Sequence, residues 1–152
     1  MLFRSHLAVV GGEFLVETLP AYVNGGIQPA PQDPALATHA RKLTKEDGRL
    51  EWTQPAVILD RKVRALRPWP GAYAFIPDEP HPKLLKVWRA TAIPSNSNRA
   101  PGEILEISNE AVAVACGAGA LKIAELQREG GKRMPAAEAA RGLQLRSGSR
   151  LV

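Results

Sequence analysis

Arginine and lysine carry most of the chemical potential of this sequence. Arg61, Arg64 and Arg67 recur three residues apart over a predicted helix at 53–67, with Lys62 beside them. That spacing lines three guanidinium groups into one ridge next to the apolar face of the helix. Over 84–92, strand alternation puts Lys86 and Trp88 on one side and Leu85, Val87 and Arg89 on the other. Gly130-Gly131-Lys132-Arg133 offers two more cations on a glycine lead-in. Cations on a rigid scaffold suit phosphate oxygens, whose condensed counterions they replace. A solvated basic face is the plainer reading of the same residues.

Nucleophilic and metal chemistry are poorly supplied. His6, His39 and His81 lie far apart, with no carboxylate or second histidine at ligand spacing, and read as lone surface or linker histidines. Cys116, the one cysteine, closes an apolar segment where a buried, inert thiol is expected. No G-x-S-x-G elbow, phosphate loop or EF-hand spacing occurs. Gly117-Ala118-Gly119 reads as a hairpin turn rather than a dinucleotide fingerprint. Trp52, Trp69 and Trp88 fit core or corner packing better than base stacking.

The elements that must position these groups follow from periodicity and turn chemistry. Residues 5–24 predict an amphipathic helix, capped by Ser5 and stopped by Asn24-Gly25-Gly26. Gly11 and Gly12 inside it imply a closely approaching neighbour. Pro29, Pro31 and Pro34, interleaved with polar residues, make 26–37 an extended linker. A short strand is expected at Ala40–Leu43, a turn at Thr44–Gly48, then the helix with Thr53 as N-cap and Ala56, Leu59, Val63 and Leu66 on its buried face. Pro68-Trp69-Pro70-Gly71 ends that helix. Strands are expected at Tyr73–Ile76, Leu84–Ala92, Glu103–Ile107, Ala111–Cys116 and Leu121–Leu126, and a last short helix at Pro135–Arg141. Five short strands at even spacing predict a small barrel or sandwich.

Composition agrees with a globular chain: 152 residues, 45% hydrophobic and 23% charged. No run of eighteen apolar residues is present, so no membrane span is expected. The single cysteine excludes an internal disulfide, and the absence of a leader pattern makes the reducing cytoplasm the expected compartment. The net charge of +5 favours a polyanionic partner. It is unevenly placed: residues 41–99 carry +6 and residues 128–152 carry +4, while 1–40 and 100–127 are acidic at −2 and −3.

From Thr38 onward the sequence resembles the C-terminal domain of the methionyl-tRNA formyltransferase family. The resemblance rests on T-H-A-R-K-L-T-K-E-D-G-R-L-E-W (Thr38–Trp52), R-A-L-R-P-W-P-G (Arg64–Gly71), L-K-V-W-R-A (Leu85–Ala90), P-G-E-I-L (Pro101–Leu105) and the run from Val114 to Met134. The first helix, from Leu7 to Gly25, resembles the last helix of that family's formyl-transfer domain, and the proline stretch its linker. Ala139 and Ala140 stand where the family usually has bulky apolar residues, predicting a looser C-terminal closure.

The resemblance implies a mainly β fold, an OB-type small β-barrel with one or two helices, preceded by an isolated N-terminal helix and an extended linker. The implied organisation is 1–25 as the closing helix of a missing catalytic domain, 26–37 as linker and 38–152 as a tRNA-binding domain. Family members pass a formyl group from 10-formyltetrahydrofolate to initiator methionyl-tRNA. Their folate site and catalytic residues lie upstream of anything in this chain, so it is expected to hold no cofactor and to be inactive alone. Lys42, Arg64, Arg67, Lys86, Arg89, Lys132 and Arg133 are then the expected tRNA-backbone contacts, followed by Arg61 and Lys122. Self-association through the first helix is a further expectation. Two other readings remain: the structural C-terminal subdomain of a sugar-nucleotide formyltransferase, and a stand-alone OB-type module for single-stranded nucleic acid that stacks bases on Tyr73, Phe75 and Trp88.

Overall fold

The computed structural model describes residues 2–78 and 80–152, with the side chain of Leu2 also outside the description. The chain divides into two compact units, one ending at Arg41 and the other running Lys42–Val152.

The first unit holds helix α1, Leu2–Val23, and an irregular segment with one 3-10 turn at Pro34–Leu36. Asp33 caps that turn, its carboxylate accepting from the Ala35 N–H at 2.9 Å. Helix α1 ends as Asn24-Gly25-Gly26 predicts: Gly25 takes a left-handed φ of 77°, and the Gly26 N–H closes back on the Ala21 carbonyl at 2.8 Å. The expected single apolar stripe is not found. Phe3, Val9, Phe14, Leu15, Val16 and Val23 point around the whole axis, and all are exposed. No atom crowds Gly11 or Gly12.

The second unit is an open, mainly antiparallel sheet with two helices. Strands β1 (Ala72–Ile76), β2 (Lys83–Ile93), β3 (Ile104–Ile107), β4 (Val112–Ala115) and β5 (Ala120–Arg128) run in the order β1-β2-β5-β4-β3. The short β6 (Arg133–Pro135) pairs with β5. Helix α2 (Ala56–Ala65) packs on β2 and β5, and α3 (Ala136–Gly142) on β5 and β6. The core gathers Leu59 and Val63 of α2, Leu85 and Val87 of β2, and Leu121, Ile123 and Leu126 of β5. The face of α2 anticipated from its spacing is therefore the buried one. Its start is not: Pro55, not Thr53, occupies the N-cap position.

Four further expectations are corrected. Ala40–Leu43 forms no strand, because the first bridge to the sheet comes only at Arg49, opposite Tyr73. The six strands do not close into a barrel. Instead the C-terminal segment straps the two sheet edges: Leu151 donates to the Gly102 carbonyl at 2.8 Å, while Phe75 and Val152 exchange bonds of 2.6 and 2.9 Å. A Cβ on Gly102, whose φ is 89°, would stand 2.3 Å from the Leu151 carbonyl oxygen, so the strap needs glycine there. Nor do the alanines of α3 loosen the closure. Ala136, Ala137, Ala139 and Ala140 are all fully buried, because small side chains let the helix lie close on the sheet. Finally, Trp52 and Trp88 are packed, but Trp69 is 55% exposed between its two prolines.

The turn between β4 and β5 pins the start of α2. Gly117 donates to the carbonyls of Trp52 (2.9 Å) and Gln54 (3.1 Å), and Ala56 donates to Ala118 at 2.9 Å. A Cβ at Gly117 would fall 1.8 Å from the Thr53 carbonyl oxygen, which leaves room for hydrogen only. Glu79 lies outside the described residues; on either side of it β1 and β2 pair antiparallel, with Ile76 opposite Lys83.

Candidate nucleic-acid interface

The sheet has a core face and an outer face, and the outer face collects cations. Strand pairing sets Tyr73 of β1 opposite Lys86 of β2, Lys86 opposite Gln127 of β5, and Gln127 opposite Arg133 of β6. Side chains in register across antiparallel strands share a face, so these four residues form one row. Their strand neighbours Leu85, Val87 and Leu126 point into the core, which fixes the row as outward.

Trp88 anchors the row. The Arg133 guanidinium carbon stands 3.3 Å from the centroid of the Trp88 ring, and the indole N–H donates to Gln127 Oε1 at 2.7 Å. Arg67, just past the end of α2, donates through Nη1 to the Trp88 carbonyl at 2.9 Å. A β-bulge between Val87 and Ala90 shifts the phase of β2 here. Alternation alone places Arg89 beside Leu85 and Val87; the bulge turns it out to solvent instead.

The anticipated contacts therefore separate. Arg67, Lys86 and Arg133 converge around Trp88, with exposed Lys132 next to Arg133 on the β5–β6 turn. Arg89 is close by, but its cross-strand partner is Glu125, which offsets its charge. Arg64 is engaged by Asp60 one helical turn back, Nε to Oδ1 at 3.2 Å. Because α2 ends at Ala65, the ridge of three arginines is not continuous: Arg61 and Arg64 stay on the helix while Arg67 turns to β2. Lys62 is used structurally, its Nζ donating to the Arg49 carbonyl at 2.5 Å. Burial holds its pKa below the usual lysine range, against the opposing charges of Glu51 and Asp47. Lys122 sits near the other end of β5, opposite Thr91, and exposed Lys42 precedes the first turn of the second unit.

One participant escapes a reading of spacing alone. Gln127 is neutral, and nothing in its neighbourhood marks it as a cross-strand link. Tyr73 and Phe75, named above for base stacking, pack edge-to-face at 5.5 Å on the same outer side, with the Arg49 guanidinium 5.8 Å from the Phe75 ring.

No competing chemistry is visible among the described residues. No group of three or more His, Cys, Asp or Glu side chains could hold a metal ion. The Cys116 thiol is buried, and desolvation pushes its pKa up to about 11, so it stays protonated at neutral pH. An open groove of about 900 Å³ lies beside the interface, between the β1–β2 hairpin, the β5–β6 turn and the end of α3. Among the described residues no helix is long and apolar enough to cross a membrane.

Methionyl-tRNA formyltransferase of Citrifermentans bemidjiense is 43% identical over 148 residues, covering 97% of this chain and 45% of the relative. The enzyme of the same name from Myxococcus xanthus is 43% identical over 143 residues, covering 94% and 44%. The chain thus spans less than half the length of these relatives. Among solved structures, HypX from Aquifex aeolicus in complex with tetrahydrofolic acid superposes with a TM-score of 0.54 at 25% identity, covering 84% of this chain and 22% of HypX. The formyl transferase, C-terminal domain family matches residues 42–144, a span that takes in α2, all six strands and α3. This chain belongs to the formyl transferase C-terminal domain family.

Proposed function

We propose that the second unit holds methionyl-tRNA by its backbone and presents it for formyl transfer. The observation that carries this reading is the gathering of cations at Trp88: Arg133 over its ring, Lys86 in the adjoining row on the outer face of β2, β5 and β6, and Arg67 on its backbone carbonyl. Its support from relatives is that those covering nearly all of this chain bear the name methionyl-tRNA formyltransferase. Lys132 and Arg89 extend the patch, Lys42 and Arg61 add exposed positive charge elsewhere on the unit, and Arg64 and Lys122 contribute least.

On the same reading, α1 closes a formyl-transfer domain, and residues 26–37 link it to the RNA-holding unit. The exposed apolar side chains around α1 are what such a helix needs to dock. The donor, 10-formyltetrahydrofolate, and the groups that move the formyl carbon belong to that domain. The cytoplasm is the compartment that goes with this role.

Binding of this kind is dominated by counterion release. With about five phosphate contacts, affinity for tRNA should fall about 100- to 500-fold between about 50 and about 200 mM salt. Filter binding at the two concentrations measures it, and absent or salt-insensitive binding would sink the reading. The single-strand alternative draws on Tyr73, which shares the row with Lys86. Trp88 offers it less, because Arg133 already covers one face of the indole. A short unstructured RNA competing as well as tRNA would favour that alternative.

A further inference from the structure

We infer that Gln127 is a positioning residue, which holds the Arg133 guanidinium over Trp88 so that its N–H edge is presented to phosphate before RNA arrives. The inference rests on the proposed RNA-binding role of this face and adds to it a neutral residue that the charge pattern does not reveal.

The geometry is a two-ended clamp. Gln127 Oε1 accepts from the Trp88 indole N–H at 2.7 Å, and its Nε2 donates to the Gly131 carbonyl at 2.8 Å. Both partners are one-way groups: an indole N–H only donates and a carbonyl only accepts, so the amide has a single satisfactory orientation. One side chain thereby ties the ring on β2 to the turn that carries Lys132 and Arg133. Strand pairing also sets Arg133 directly opposite Gln127.

The consequence lies in the guanidinium. A carbon 3.3 Å from the ring centroid is at contact distance above the ring face. An edge-on guanidinium at that height would drive a nitrogen into the ring, so the group lies over the indole. Stacked this way, one of its faces is occupied and its N–H edge is left for the two oxygens of a phosphate. Arg67 pins the backbone of the same tryptophan through its carbonyl. Ordering the arginine in advance removes part of the entropy lost on binding.

A double-substitution cycle on the full 152-residue chain tests this. Gln127→Met keeps length and loses both hydrogen bonds; Gln127→Leu serves if the methionine variant folds poorly. Gln127→Met should weaken tRNA binding about fivefold, and by less than about twofold when Arg133 is already alanine. NMR of the Arg133 side chain supplies the independent readout: the indole ring current shifts its resonances upfield, and Gln127→Met should relieve that shift. An equal loss in both backgrounds, no loss in either, or an unchanged Arg133 shift overturns the inference. Should the unsubstituted chain fail to bind tRNA, the functional reading falls with the binding half of this inference. The Arg133 resonances then still decide whether Gln127 holds the guanidinium.

Discussion

Replacing Arg67, Lys86 and Arg133 together with alanine should reduce tRNA affinity by about a thousandfold. Each charge-assisted contact to a phosphate contributes about 1.5 kcal/mol, and three of them give about 4.5 kcal/mol, or three decades in Kd. The same variant should flatten the dependence of log K on log salt by about two to three units, because fewer counterions are released. Arg64→Ala and Lys122→Ala are the matched controls. The first removes a guanidinium already engaged by Asp60, the second a charge remote from Trp88 along β5, so both should bind almost as the parent does. Filter binding across a salt series reads all three, with thermal unfolding to show that the triple variant is folded. An unaltered slope in that variant would remove these residues from the interface.

Leu151→Ala should cost about 2–5 kcal/mol of stability, the range for truncating a fully buried leucine. Leu151 is 2% exposed, and the segment around it makes the only link between the two edges of the sheet among the described strands and their neighbours. Beyond burial, its N–H bonds to Gly102 on one edge, and Val152 exchanges two hydrogen bonds with Phe75 of β1 on the other. Deleting residues 148–152 removes the buried side chain and these bonds together, including the one from Ile104 to Ser149 at 2.8 Å. That combined loss is of the order of a domain's whole stability of about 5–15 kcal/mol, so the deletion should leave the second unit largely unfolded. Urea midpoints check both variants. A change under about 1 kcal/mol for Leu151→Ala would show that the strap is peripheral.

Much of this fold is local and therefore legible in the sequence. Turn residues and alternation mark the ends of β1 to β5 to within two residues, and 3.6-residue spacing picks out the buried Leu59 and Val63 of α2. What sequence pattern misreads is set at long range. Strand β6 is three residues long and exists because β5 pairs with it. Arg89 faces outward because of a bulge in the pairing of β2 with β5, which no alternation pattern signals. The strap replaces a closed barrel through hydrogen bonds between segments distant in sequence.

The site shows the same division. Charge type and density point to a basic face, and Lys86, Arg67 and Arg133 are identifiable as members. Their convergence depends on Trp88, whose type favours packing and whose ring nevertheless carries a guanidinium. Gln127 is invisible without the register that sets it between Lys86 and Arg133. Conversely Arg64 looks equivalent to Arg67 in the sequence, yet an Asp60 one turn away occupies it. Helical spacing shows which residues share a face, not which are already spoken for.

The three tryptophans give the most direct test of the proposed RNA contact. Their indole N–H signals resolve separately by NMR and report three places: Trp52 buried without a hydrogen-bond partner, Trp69 exposed between prolines, and Trp88 bonded to Gln127 beneath Arg133. Adding tRNA at low salt should shift or broaden the Trp88 signal, leave Trp52 unchanged, and be reversed by raising the salt. A Trp88 signal that stays fixed while tRNA is bound would place the contact elsewhere and contradict the account.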